Sequence, residues 1–353
     1  MKNIGIIIGS NTSFITTEYY NKNKHKLKHL KDIEKNASSN KERKAALEAQ
    51  SNTPYDYAIF CEIKHLEKKH NSNVIPIYGP TITLDKVNQC DYLFCLYESS
   101  FSFMDQGSKG YNNYMNIMKK TTAKVYPSYE VQNLIVNKQK YMKYLEKKGY
   151  NLIPTKFYTI SNYSKNPNKV IQSINKFIND NEYKQIIMKP ELAAFAIGFK
   201  RFKILRDDSF KKYFTTMKEH GYKKILVQPY VNEFLKFWEI KTYWLNGKFT
   251  YAYGTKVGSG LDDEIPVSDG GSIPDKLISK YRKLGESIIK DIFSDYGNQI
   301  QLRIDFGCCI DNDNVCREYF VNEIECAPTL EDDESIKDNF RLLANAVFNH
   351  LKL

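Results

Sequence analysis

Three carboxylates near the C-terminal end constrain this chain more than any other feature. Arg303-Ile304-Asp305 lies in one alternating run, and Asn322-Glu323-Ile324-Glu325-Cys326-Ala327-Pro328 lies in a second. In a strand, residues i and i+2 point to one face, so Glu323 and Glu325 share a side while Ile324 faces the other. With Asp305 on a second strand, three acids converge, and like charges in close company resist ionisation unless a cation joins them. Oxygen-only ligands favour Mg²⁺ or Mn²⁺, and Mg²⁺ keeps water or phosphate oxygens in its other positions. The competing reading of the same residues is a solvated strand face salt-bridged to lysine.

Phosphate-binding candidates lie upstream. Lys138 stands early in the helix-like stretch Asn137-Lys138-Gln139-Lys140-Tyr141, and Lys189 follows the strand-like Gln185–Met188. A lysine at a strand end can leave the sheet and meet a phosphate as a point charge, although a surface role serves either residue equally well. After Lys189 comes Ala193-Ala194-Phe195-Ala196, a small-residue turn whose backbone N–H groups could cradle phosphates or simply be buried. Gln228-Pro229-Tyr230-Val231 ends the apolar run from Ile225 as a hinge that offers backbone groups to an adenine edge. Glu239, soon after, is placed to hold ribose hydroxyls.

Length and composition set the frame. With 353 residues and 42% apolar content the chain buries a sizeable core, and no apolar run reaches the roughly 20 residues of a membrane helix. The opening run to Ile8 breaks at Gly9-Ser10-Asn11, too soon for a secretory signal, and reads as a buried first strand. Seven cysteines without a C-x-x-C pair fit a reduced, cytoplasmic setting, and the adjacent Cys308 and Cys309 read as small core residues. The net charge of +11 is uneven: residues 22–44 hold nine Lys/Arg against three Asp/Glu. No nucleic-acid reader motif accompanies that stretch, so it reads as the solvated face of a long helix.

Strand-like runs at Asn3–Ile8, Val74–Tyr78 and Asp91–Tyr97, separated by helical stretches, predict an α/β first third. A polar helix is expected near residues 20–50, and another over Tyr111–Lys120 with Tyr111, Tyr114, Met115 and Met118 on one side. Val131–Lys148 has helical period and Gly149 stops it; Ser161–Asn168 reads as a polar loop. Further strands are predicted at Gln185–Met188, Ile225–Gln228, Phe237–Leu245, Phe249–Tyr253, Gln301–Phe306 and Glu318–Ile324.

In order and spacing, these pieces resemble the ATP-grasp superfamily, over roughly residues 125–353, and in particular D-alanine–D-alanine ligases and ribosomal-protein glutamate-ligase-like members. The resemblance implies an α/β (α+β) ATP-grasp fold: a Rossmann-like pre-ATP-grasp lobe over residues 1–125, then nucleotide-binding and catalytic lobes over 126–353. Lys138 and Lys189 match the two phosphate-binding lysines, Gln228, Pro229, Tyr230 and Val231 the adenine hinge, and Glu239 the ribose carboxylate. Asp305, Glu323 and Glu325 match the metal ligands, and Arg303 the arginine aimed at the transferred phosphoryl group. Lys241 and Lys256 fall where members carry basic residues near phosphates or substrate. Two positions depart from the pattern: Glu325 replaces the usual Asn, and the alanine-rich turn with Phe195 replaces a Gly/Ser loop.

By this resemblance the chain is expected to use ATP with Mg²⁺ or Mn²⁺ to join a carboxylate, on an amino acid or peptide, to an amine through an acyl phosphate. The rival expectations are a kinase of the same fold acting on an anionic small molecule such as an inositol phosphate, and a non-catalytic nucleotide-binding protein. Glu98 or Asp105 could receive a substrate amine, and the loop Thr255–Pro274, with Asp262, Asp263 and Glu264, is expected to cover the acceptor side. The sequence leaves the oligomeric state open.

Overall fold

The computed structural model describes residues 1–10, 13–97, 107–192, 197–235, 237–257, 268–271, 275–310, 316–330 and 338–353. These build three sheets, each dictated by a different pattern of apolar residues.

The first sheet is parallel, ordered β2-β1-β3-β4, from β1 (Lys2–Ile8), β2 (Ser72–Tyr78), β3 (Tyr92–Phe94) and β4 (Lys124–Tyr126). Its strands are covered on both faces, which is why β1 reads as a continuous apolar run rather than an alternation. Ile4, Ile6 and Ile8 enter one apolar cluster and Ile7 another. Gly5 permits this packing: a Cβ there would lie 2.7 Å from Cys90 Sγ.

The expected long polar helix is three helices, α1 (Thr17–Leu27), α2 (Leu30–Lys35) and α3 (Asn40–Ser51). Its register breaks where Ser39 leaves helical geometry to cap α3 by accepting from Glu42 N. The apolar α4 (Tyr55–Leu66) then packs against the sheet, followed by α5 (Leu84–Val87) and α6 (Gly107–Lys120). Tyr111, Tyr114, Met115 and Met118 of α6 are buried as the periodicity predicts.

The expected helix over Val131–Lys148 is also divided, into α7 (Tyr129–Ile135) and α8 (Lys138–Lys147). Asn137 stands between them as the N-cap of α8, accepting from Lys140 N, and this fixes Lys138 as the first residue of the new helix.

The second sheet is antiparallel, ordered β5-β8-β6-β7, from β5 (Lys156–Thr159), β6 (Ile186–Pro190), β7 (Lys200–Phe202) and β8 (Lys224–Pro229). Helices α9 (Ile160–Lys165), α10 (Pro167–Asp180) and α11 (Asp207–Glu219) share its apolar cluster, which includes Ile186, Met188, Ile225 and Val227. The segment expected as a polar loop at Ser161–Asn168 is instead α9 and the start of α10. Thr159 caps α9, and Asn166 caps α10 ahead of Pro167. Alternation leaves Ile187, Lys189, Leu226 and Gln228 on the face away from these helices.

The third sheet is antiparallel, ordered β11-β10-β9-β12-β13, from β9 (Glu239–Leu245), β10 (Lys248–Val257), β11 (Ser268–Gly271), β12 (Gln301–Ile310) and β13 (Cys316–Glu325). Asn246 and Gly247, at φ 49° and 77°, close the β9–β10 hairpin as an Asn-Gly turn. On one face Ile240, Trp244, Leu302, Ile304 and Phe306 pack with α12 (Asp275–Tyr296), where Gly285 lets the helix sit directly on the Trp244 ring. The other face carries the charged residues. The closing helix α13 (Asn339–Leu351) returns to α4 in the N-terminal third. Among the described residues no helix is long and apolar enough to cross a membrane.

Candidate active site

Cross-strand register assembles the site. Lys241 on β9 lies opposite Asp305 on β12, which lies opposite Glu323 on β13; one step along, Tyr243, Arg303 and Glu325 form a second row. Because alternate residues share a face, both rows and Glu239 project to the side opposite α12. Ligand atoms of Asp305, Glu323 and Glu325 all lie within 4.8 Å of one another, a group of oxygen donors that fits one hard divalent cation.

This face is neither solvated nor a simple acid cluster. Arg303 grips Asp305 through Nε–Oδ1 at 2.8 Å and Nη2–Oδ2 at 2.9 Å, and its Nη2 also donates to Glu325 Oε1 at 2.7 Å. Lys241 Nζ donates to Asp305 Oδ2 at 3.1 Å and to Glu239 Oε2 at 2.9 Å. Lys138, delivered by the first turn of α8, pairs with Glu323 Oε1 at 2.9 Å. The lysine salt bridges foreseen as the competing reading therefore exist, but in a buried cluster: the Asp305 and Arg303 side chains are 2% and 6% exposed.

Lys189 reaches the cluster from the second sheet and makes no ion pair among the described residues. Burial lowers its pKa, and the nearby charges of Glu323, Glu239 and Asp305 work the other way. Burial also opposes ionisation of Glu323, yet Lys138, Lys189 and Arg303 prevail and hold its carboxyl at about 2. Glu325 goes the opposite way. Burial, with Asp305 and Glu323 adding to it against the pull of Arg303, pushes it up to about 7. Glu239 is half-buried, and against that desolvation Lys241 and Asn322 keep its pKa below the usual value.

The hinge residues span the end of β8. Gln228 is buried; its Nε2 donates to Thr155 Oγ1 at 2.8 Å, while its Oε1 has no partner among the described residues. Pro229 ends β8, and Tyr230 N donates to Gln185 O at 3.0 Å. The Arg201 guanidinium stacks 3.6 Å over the Tyr230 ring, and Val231 is half-buried before a short 3-10 turn at Asn232–Leu235 leads to β9.

The structure thus brings Lys138, Lys189, Lys241, Arg303, Glu239, Asp305, Glu323 and Glu325 together. The backbone of Lys256 lies in β10 opposite Asp269, and its side chain lies outside the described residues. Also outside them are Ala193–Ala196 with Phe195, Glu98, Asp105, Asp262, Asp263 and Glu264.

Three contributors escaped the sequence reading. Asn322 Nδ2 donates to Glu239 Oε1 at 2.5 Å, at a register shift between Asp305 and Phe306 that strict alternation does not foresee. Thr255 donates to Glu239 Oε2 at 3.1 Å. Tyr141, one turn after Lys138, is buried, and its phenol is pushed far up by burial and by Glu323, Asp305 and Glu325. Its i, i+3 spacing from Lys138 was the available signal.

No protein-family model and no curated protein matches the sequence. Solved structures do match its fold. D-alanyl-alanine synthetase A from Vibrio cholerae O1 biovar eltor superposes with a TM-score of 0.62 at 13% identity, covering 100% of this chain and 99% of that one. D-cycloserine synthetase DcsG gives 0.62 at 10%, over 82% and 93%. D-alanine–D-alanine ligase from Bacillus anthracis, solved with ATP, gives 0.56 at 12%, over 99% and 97%. The fold is ATP-grasp. Lys189 stands on a strand of the second sheet and the carboxylates on strands of the third, close enough for the charges of Glu323, Glu239 and Asp305 to act on it.

Proposed function

We propose that this chain is an ATP-dependent ligase that joins a carboxylate to an amine, with residues 1–125 shaping the substrate side and residues 126–353 holding the nucleotide. The observation that carries this reading is the matched set of four cations (Lys138, Lys189, Lys241, Arg303) and four carboxylates (Glu239, Asp305, Glu323, Glu325) gathered at one sheet face. Polyphosphate and a divalent cation together could take over the partners that those ion pairs now satisfy, and polyphosphate would give Lys189 the paired counter-charge it lacks among the described residues. Lys138 and Lys189 would turn to phosphate oxygens, and Asp305, Glu323 and Glu325 would hold Mg²⁺ or Mn²⁺. When bound, that ion supplies charge neutralisation for the phosphoryl group in transfer. The buried Gln228 Oε1 beside the hinge, without a partner among the described residues, suits the exocyclic amine of adenine, and Glu239 suits ribose hydroxyls.

In the proposed reaction a substrate carboxylate oxygen attacks the γ-phosphorus and the bond to the β-γ bridging oxygen breaks, releasing ADP. The amine nitrogen then attacks the acyl carbon, inorganic phosphate leaves, and the amine proton is lost. Arg303 and Lys241 stabilise charge as it moves, and Lys256 is assigned the same role. No nucleophilic side chain is needed, because positioning and fixed charge do the work. With γ-labelled ATP and a library of amino acids and peptides, label should appear in inorganic phosphate only when both a carboxylate and an amine are present. Label retained on an anionic small molecule would instead establish a kinase.

A further inference from the structure

A second cluster of metal-ligating side chains lies far from these carboxylates in sequence and fold, on the lysine-rich face of the N-terminal third. His25 is in the last turn of α1, His29 lies just before α2, and His65 is in the last turn of α4. Three of the six histidines in the chain thus meet at one place. The ring centroids of His25 and His65 are 5.5 Å apart at 80°, and those of His29 and His65 are 6.2 Å apart at 56°. Two imidazoles bound to one tetrahedral metal, with metal–nitrogen bonds of about 2.0–2.1 Å, have centroids roughly 5 Å apart, so the spacing needs little adjustment.

We infer that His25, His29 and His65 form a binding site for a borderline divalent metal of the Zn²⁺ class. His29 is already oriented as such ligands are: its Nδ1 faces Asp32 Oδ2 at 2.9 Å, which leaves Nε2 for the metal. His25 and His65 are exposed. Among the described residues, only Asp305, Glu323 and Glu325 have ligand atoms that already converge; the nitrogens of the three imidazoles do not, so a metal here requires the exposed rings of His25 and His65 to rotate towards His29.

The local charge suits a neutral nitrogen site. Lys26, whose charge acts on His65, is engaged by Glu62 at 2.7 Å. Partial loss of solvent around the ring, with His25, His29 and Lys26 against the pull of Glu62, lowers the pKa of His65, favouring the uncharged imidazole that coordinates metal. An all-imidazole set selects Zn²⁺, Ni²⁺ or Cu²⁺ over Mg²⁺, so the two sites differ in chemistry as well as place. A metal here would staple the end of α1 and the start of α2 to α4.

Zn²⁺ titrated calorimetrically into the full-length protein, with Mg²⁺ in excess, tests the site. Wild type and the double variant Asp305→Asn, Glu323→Gln should each take up one equivalent of Zn²⁺. The double variant His25→Ala, His65→Ala should bind at least roughly 100-fold more weakly, and Asp32→Asn roughly 10-fold more weakly. Co²⁺ in place of Zn²⁺ should give the visible absorption of a tetrahedral site, lost in His65→Gln alone; this serves as the readout if the double histidine variant fails to fold. Equal Zn²⁺ binding by wild type and the histidine variants, or no Zn²⁺ uptake by wild type, overturns the site.

Discussion

On β13, two carboxyls two residues apart are driven in opposite directions, and each direction carries a test. Glu323 is charged because Lys138 touches it. Replacing Lys138 by Met leaves a half-buried carboxylate to Lys189 and Arg303 alone, and should lower unfolding free energy by about 2 kcal/mol in urea titrations at neutral pH. An unchanged midpoint would mean that the 2.9 Å pair contributes nothing. Glu325 carries a folded value of about 7 against an ordinary 4.5, so the folded protein binds this proton more tightly than the unfolded chain. Its effect on stability is therefore neutral below about 4.5, and a penalty grows as pH rises towards 7, up to about 3 kcal/mol. Glu325→Gln should raise Tm over wild type at pH 8, and that gain should vanish at pH 4. A gain independent of pH would contradict the assignment. Saturating Mg²⁺ with nucleotide should remove most of the difference, because a bound cation stabilises the same charge.

At the scale of elements, the β9–β10 hairpin aligns Glu239 and Lys241 with the acids of β12 and β13, and it turns on Gly247. At φ 77°, with Phe293 Cε2 only 2.8 Å from where a Cβ would sit, Gly247→Ala should cost about 2 kcal/mol in thermal unfolding and weaken nucleotide binding with it. Strands such as β9 and β12 were legible because period-two alternation is a strong signal, and it placed Glu323 and Glu325 on one face, where Asp305 converges on them and Arg303 joins them. What alternation cannot express is the register shift that turns Asn322 towards Glu239. Short strands such as β4, β5 and β7 offer too few residues to show a period, and they exist because longer neighbours pair with them. The breaks at Ser39 and Asn137 follow from side chains that compete for backbone N–H groups, a choice that helical periodicity alone does not reveal.

Across the whole molecule, the order Lys138, Lys189, Gln228, Glu239, Arg303, Asp305, Glu323 carried the resemblance that the fold bears out. The sequence could not show that every carboxylate already has a cation. In that arrangement polyphosphate alone, or a divalent ion alone, breaks ion pairs without replacing them, so binding of each should strengthen the other. At a hundredfold excess over Kd, Mg²⁺ and nucleotide together should stabilise the protein by about 2.7 kcal/mol, and either alone by far less. The most direct measurement is calorimetric titration with Mg²⁺ and a non-hydrolysable ATP analogue, on wild type and on Asp305→Asn, Glu323→Gln. The account predicts one equivalent bound by wild type, at least roughly 100-fold more weakly by the variant, and little binding to either without Mg²⁺. Equal binding by both proteins, or binding indifferent to Mg²⁺, would contradict it.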